Sequence, residues 1–209
     1  MTTQTQHESK TKLVEAALRV FCAKGYSATT IDDICAESAL TKGSFFHHFK
    51  SKEDLGQAAV KAWGELGQAV YARAWKQPGK PLEEIHRLFD IMESLTRRPE
   101  PCVCVVGMIS QEMSGEHPDF RAACERELGV WTEMMRHRLE AAKQQLKPTV
   151  DFDPAEVAWF LNSIWQGSML VGKTVQSPEL IRANLRQARA YVDSLFANAD
   201  KPVCEFTPS

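Results

Sequence analysis

Little in this 209-residue chain ties it to a membrane, a metal or an export route. Its longest apolar run, CVCVVGMI at 102–109, is far shorter than the roughly 18 residues a membrane helix needs, so no membrane partner is expected. The first residues, MTTQTQHESK, lack the apolar segment of a secretory signal. Six cysteines stand at 22, 35, 102, 104, 124 and 204 without the paired CxxC spacing of a zinc site. With no export signal they read as reduced thiols in a cytoplasmic protein, and neither a metal nor a cofactor is expected. Charge of one sign is also missing: 25 Lys and Arg oppose 27 Asp and Glu, so the molecule as a whole is no polycation. Pro and Gly are sparse within long stretches rich in Ala, Leu, Glu, Arg and Gln, a composition that favours helix.

What is present is helical periodicity. Residues 1–8 read as a flexible arm and 199–209 as a flexible tail. From about Ser9, apolar residues recur at Leu13, Ala16, Ala17, Val20 and Phe21, the stripe of an amphipathic helix. Gly25 stops it. Thr30 is placed to cap a second helix, with Asp33 completing a capping box. Thr41 opens a third helix over Lys42–His48, and Ser51, with Asp54, opens a fourth. Further helices are expected at about 82–96, from 118 to about 147, at 155–174 and at 178–197. The Val-rich segment 102–113 would pass for a buried strand, but nothing else in the chain offers it a sheet partner, so it too is read as helix.

The stretch LTKGSFFHHFKSKEDL at 40–55 crowds three Phe and two His between lysines. Its second and third helices are separated by two or three residues, the spacing of a helix-turn-helix. In that geometry the start of the later helix meets base edges and phosphates. Lys42, Gly43 and Ser44 occupy that start, and Gly43 lets backbone approach DNA. Phe45 and Phe49, four apart, share a face and can anchor the helix to a core. Phe46 and His47 point elsewhere, towards the groove. Lys52, at a helix N-terminus, is expected on a phosphate. Against DNA binding, seven Lys/Arg oppose seven Asp/Glu in residues 1–55, although the lysines cluster and the acids are read as clustering elsewhere.

Residues 9–68 resemble the DNA-binding domain of TetR-family transcriptional regulators. The match is carried by Gly25, Tyr26, Thr29, Thr30, Ile34, Gly43, Ser44, His48, Phe49, Ser51, Lys52 and Leu55. Two positions depart from the pattern: Phe46 replaces the usual Tyr, and Ala39 replaces the usual turn Gly. The resemblance implies an all-α fold, with a three-helix DNA-binding domain at 9–68 (helix-turn-helix about 30–49) and a helical effector-binding and dimerisation domain at 69–198. It implies contacts to double-stranded operator DNA from Thr30, Lys42, Gly43, Ser44, Phe46, His47 and Lys52. A small-molecule effector and a homodimer are the implied partners, and repression the commoner mode.

In the second half, the segment around Cys104 and Gly107 is similar to one found in a branch of the family. Candidate effector-pocket or sensor residues are Phe89, Cys104, Met108, Trp131, Trp165 and Lys173, although Met and Trp at helical spacing also suit ordinary core. Cys104 is either a small buried hydrophobe or, with Lys173 nearby favouring the thiolate, a sensor of electrophiles or oxidants. Phe160, Leu161, Ile164, Trp165 and Ser168 form one stripe, facing either a second subunit or the chain's own core. Two other classes stay open on the sequence: an enzyme using Cys104 or a His, for which no known spacing speaks, and a helical interaction protein that does not bind DNA.

Overall fold

Most helix starts in this chain are set by residues close at hand. Four helices begin on a proline, at Pro81, Pro118, Pro154 and Pro178, where the missing N–H costs no helical hydrogen bond. The computed structural model describes residues 3–76, 78–98 and 102–197; the expected tail at 199–209, with Cys204, lies outside them. Among the described residues are nine α-helices, one 3-10 turn and no strand: α1 (Thr3–Lys24), α2 (Ile31–Ser38), α3 (Lys42–His48), α4 (Lys52–Tyr71), the 3-10 turn (Ala72–Trp75), α5 (Pro81–Leu95), α6 (Val105–Met113), α7 (Pro118–Leu146), α8 (Pro154–Thr174) and α9 (Pro178–Phe196). Helix α1 starts ahead of the expected Ser9, within the segment read as an arm. The segment 102–113 is helical only from Val105, so Cys102 and Cys104 precede the helix.

The chain divides into two compact units, and the division does not follow a cut after residue 68. The first unit comprises Met1–Tyr71 with Val103–Trp131, and the second Ala72–Cys102 with Thr132–Ser209. In the first, α1 packs on α2, α3 and α4, and α6 packs on α4 and α1. Leu13, Phe21, Tyr26, Phe45, Phe49 and Leu55 share one buried cluster with Val105, Ile109, Phe120 and Cys124. Burying each large side chain of this kind contributes about 1.5–3 kcal/mol. The N-terminal helices therefore complete their core with a segment some fifty residues further on, which local periodicity does not reveal.

The second unit is built by α5, α8 and α9 with the 3-10 turn and the later part of α7. Ile85, Leu88, Phe89, Met92, Leu139, Leu161, Trp165, Leu185 and Val192 are buried. Inside it, Asn162 donates to Thr132 Oγ1 at 2.8 Å, satisfying polar groups that would be costly to bury unpaired.

Candidate nucleic-acid interface

Three caps and one glycine set the reading helices. Gly25 sits at φ 85° after α1, a conformation open to glycine. Thr30 caps α2: its Oγ1 accepts from Asp33 N at 3.2 Å, and Thr30 N donates to Asp33 Oδ2 at 2.7 Å. Thr41 Oγ1 accepts from Ser44 N at 3.1 Å to open α3, and Ser51 Oγ accepts from Asp54 N at 3.2 Å to open α4. Between α2 and α3, Ala39 adopts φ 55°, ψ 34°. This left-handed conformation is the one that strains any residue with a Cβ.

The ring cluster of residues 45–49 separates by face. Phe45 and Phe49 are buried and hold α3 to the core. Phe46 is 56% exposed and packs edge-on against Phe45, so more than half of a large apolar ring stands in water. Lys42, Gly43 and His47 are exposed beside it. A Cβ added at Gly43 would meet only Thr41 Oγ1, at 3.7 Å, so nothing within the chain requires a glycine there. His48 turns inward, with Nε2 3.2 Å from Ser9 Oγ. Burial, then His47 and Lys10, lowers its pKa.

Lys52 and the acids have partners that the sequence does not announce. Lys52 is committed to the chain itself: its Nζ donates to the carbonyls of Tyr26 at 3.3 Å and Thr29 at 3.0 Å and lies 4.5 Å from the centre of the Tyr26 ring. It braces the α1–α2 turn. The acids are also not set apart from the bases. Asp32 pairs with Lys42 at 2.8 Å, Asp33 with Lys24, and Glu37 with Arg19. Such exposed pairs add little net stability because water screens them, so Lys42 can exchange Asp32 for a phosphate at little cost.

The turn between α1 and α2 holds a residue that sequence reasoning missed. Glu112, on the last turn of α6, accepts from Tyr26 N at 3.1 Å with Oε1 and from Ser27 N at 2.7 Å with Oε2. It stands five residues after Gly107 in the sequence, but no local pattern pairs it with a turn more than eighty residues earlier.

The remaining expected residues are distributed between the units. Cys104, Met108 and Trp131 belong to the first; Phe89, Trp165 and Lys173 belong to the second. Phe89, Trp131 and Trp165 are buried, Met108 is half-buried, and Lys173 is exposed on the last turn of α8. Cys104 is the N-cap of α6, its Sγ 3.4 Å from Gly107 N. The stripe expected at the dimer interface divides. Leu161, Trp165 and Ser168 are buried within the chain, with Ser168 Oγ accepting from Asn184 Nδ2 at 3.0 Å. Phe160 is exposed and Ile164 half-buried. With Ser163, Gly167, Leu170 and Val171, which are also exposed, they make a surface of apolar and small residues at spacings of three and four along α8. No group of His, Cys, Asp or Glu able to hold a metal occurs among the described residues, and no described helix is long and apolar enough to cross a membrane.

Two short helices joined by a tight turn, buttressed by a third and presenting the start of α3 to solvent, define a helix-turn-helix DNA-binding protein. Residues 13–59 match the sequence model described as bacterial regulatory proteins of the tetR family, and residues 81–188 that of the tetracyclin repressor-like C-terminal domain. The chain belongs to the TetR family and is a DNA-binding transcriptional regulator. The transcriptional regulator AcuR of Cereibacter sphaeroides is 30% identical over 177 residues, covering 83% of this chain and 80% of that one. The transcriptional repressor DhaR of a Mycobacterium species is 28% identical, covering 80% of this chain and 83% of its own. Among solved structures, a regulatory protein TetR from Rhodobacter sphaeroides superposes with a TM-score of 0.76 at 28% identity, over 87% of this chain and 97% of that one. Regulators of this family bind DNA, generally as ligand-responsive repressors, and are generally not enzymes.

Proposed function

We propose that the protein is a homodimeric repressor that sits on a near-palindromic operator and is released by a small molecule. The observation that carries this reading is the exposed edge of α3, where Lys42, Gly43, Phe46 and His47 all face solvent and nothing within the chain requires the glycine. Lys42 supplies charge for a phosphate or a guanine edge. Gly43 allows close backbone approach, and the Phe46 ring offers an apolar contact to a thymine methyl. Ser44 and Thr30 contribute from positions fixed by their caps. A second subunit docks on Phe160, Ser163, Ile164, Gly167, Leu170 and Val171, spacing two reading heads one helical turn apart or a multiple of it. A cytoplasmic location follows from this role. The test is selection from a random-sequence duplex pool followed by footprinting. An enriched near-palindrome protected on both half-sites supports the reading; no enrichment over bulk DNA refutes it.

The releasing effector is either a reversible ligand or an electrophile captured by Cys104. The second reading is favoured by the thiol's place at the N-cap of α6, where the Gly107 N–H points at sulfur and helix N-termini favour thiolates. In that case the sulfur adds to the β-carbon of an unsaturated carbonyl, its π bond breaks, and the α-carbon takes a proton from water. This reading leans on Gly107 rather than on Lys173. Intact mass of Cys104→Ser after treatment with such a carbonyl tests it: loss of both the adduct and DNA release supports it, and unchanged release overturns it.

A further inference from the structure

The carboxylate of Glu112 has a use that the helix-turn-helix alone does not explain. It lies on α6, outside the reading helices, yet takes both the Tyr26 and Ser27 N–H groups of the turn that leads into α2. The same turn is held from α4 by Lys52 through the Tyr26 and Thr29 carbonyls, and closed on itself by Thr29 Oγ1 donating to Gly25 O at 2.6 Å. A Cβ at Gly25 would lie 2.9 Å from Glu112 Oε1, so the glycine also leaves room for the carboxylate. Burial pushes the Glu112 pKa up, but the hydrogen bonds from Ser27 and Tyr26 and the charge of Lys52 outweigh it and hold the group below its usual range. All of these residues lie in one compact unit.

An acid in a DNA-binding unit works against phosphates, so its presence points to another task. We propose that Glu112 is a positioning residue for operator binding: it ties α6 directly to the α1–α2 turn and so sets where α2 and α3 stand, without touching DNA. The inference rests on the reading above that α3 meets the operator. Charge-assisted hydrogen bonds to two adjacent amides fix a turn in both direction and rotation. When α6 shifts by more than the reach of those bonds, the turn is released, and the entry to α2 with it. Whatever moves α6 then alters DNA affinity along this route.

The experiment measures affinity for a duplex enriched by the wild-type protein, with Glu112→Gln and Glu116→Gln compared as full-length proteins. Electrostatics alone makes both variants bind tighter, since each loses a negative charge. The tie predicts the opposite sign for Glu112→Gln alone: about tenfold weaker binding, the factor that goes with about 1.4 kcal/mol, at an unchanged salt slope because no phosphate contact is lost. Amide exchange gives a second readout. Protection at Tyr26 and Ser27 should fall in Glu112→Gln while that of Ala59 and Val60 in α4 persists. Equal or tighter binding by Glu112→Gln, or unchanged protection at the two amides, overturns the inference. If the wild type enriches no duplex, the DNA reading falls and the inference with it; if it does and Glu112→Gln binds as wild type, the inference alone falls.

Discussion

Replacing Lys52 by Met separates a residue that shapes the reading head from one that grips DNA. Met keeps the apolar stem over the Tyr26 ring but removes the ammonium and its bonds to the Tyr26 and Thr29 carbonyls. A hydrogen bond to a charged group contributes about 1.5–3 kcal/mol when well buried. Lys52 is only half-buried, so the pair with its ring contact is worth about 2 kcal/mol together. For a chain of this size that lowers the melting temperature by roughly 4–8 °C. Operator affinity falls as well, because the turn before α2 loosens. The salt dependence discriminates between roles: each phosphate contact contributes about 0.9 to the slope of log K against log salt. A bracing lysine leaves that slope unchanged, whereas a phosphate-binding lysine flattens it by about one. Calorimetry and fluorescence anisotropy at several salt concentrations measure both quantities. A slope flattened by one unit with an unchanged melting temperature would refute the bracing role.

Three further outcomes follow from the geometry. Ala39→Gly relieves a left-handed Cβ at an exposed position; after the added freedom of the unfolded glycine is subtracted, stability should rise by about 0.5–1 kcal/mol, read as a higher urea midpoint at constant m. The lowered pKa of His48 means that the unfolded chain takes up a proton near pH 6.5 that the folded chain refuses. Its contribution is therefore complete above that pH and is lost as pH falls through the folded value; His48→Gln should flatten the stability–pH curve below about pH 6.5, and an unaltered curve would exclude His48 as its source. Phe160→Glu with Val171→Glu should convert dimers to monomers in light scattering while leaving the helical circular dichroism intact; a dimer that survives both changes docks elsewhere.

Legibility followed the range of the interactions. The caps at Thr30, Thr41 and Ser51 and the stop at Gly25 are decided within about four residues, and a reader of the sequence can place them. The same holds for Phe45 and Phe49 against Phe46, because helical period assigns faces. Ala39 is legible as a strained position only through the resemblance, which marks a glycine there. For Lys52 a helix N-terminus suggests an anion, while its partners within the chain are carbonyls of a turn more than twenty residues earlier, which no local pattern reveals. Glu112 and the shared core of α6 with α1 and α4 depend on long-range packing that no local pattern encodes. The α8 stripe divided because a band of alternating apolar and small residues is wide enough to serve two surfaces: Leu161 and Trp165 face inward, and Phe160 outward.

The claim that the start of α3 enters the groove is tested most directly by Gly43→Ala. Within the chain the new methyl meets only Thr41 Oγ1 at 3.7 Å, and Ala is the better helix former by up to about 1 kcal/mol. The variant should therefore melt at the same temperature or higher. At a backbone pressed against DNA the same methyl is a clash, so affinity for the enriched duplex should fall at least about tenfold, or 1.4 kcal/mol. Greater stability with weaker binding is the predicted result. Wild-type affinity in Gly43→Ala would contradict the placement of α3 on DNA.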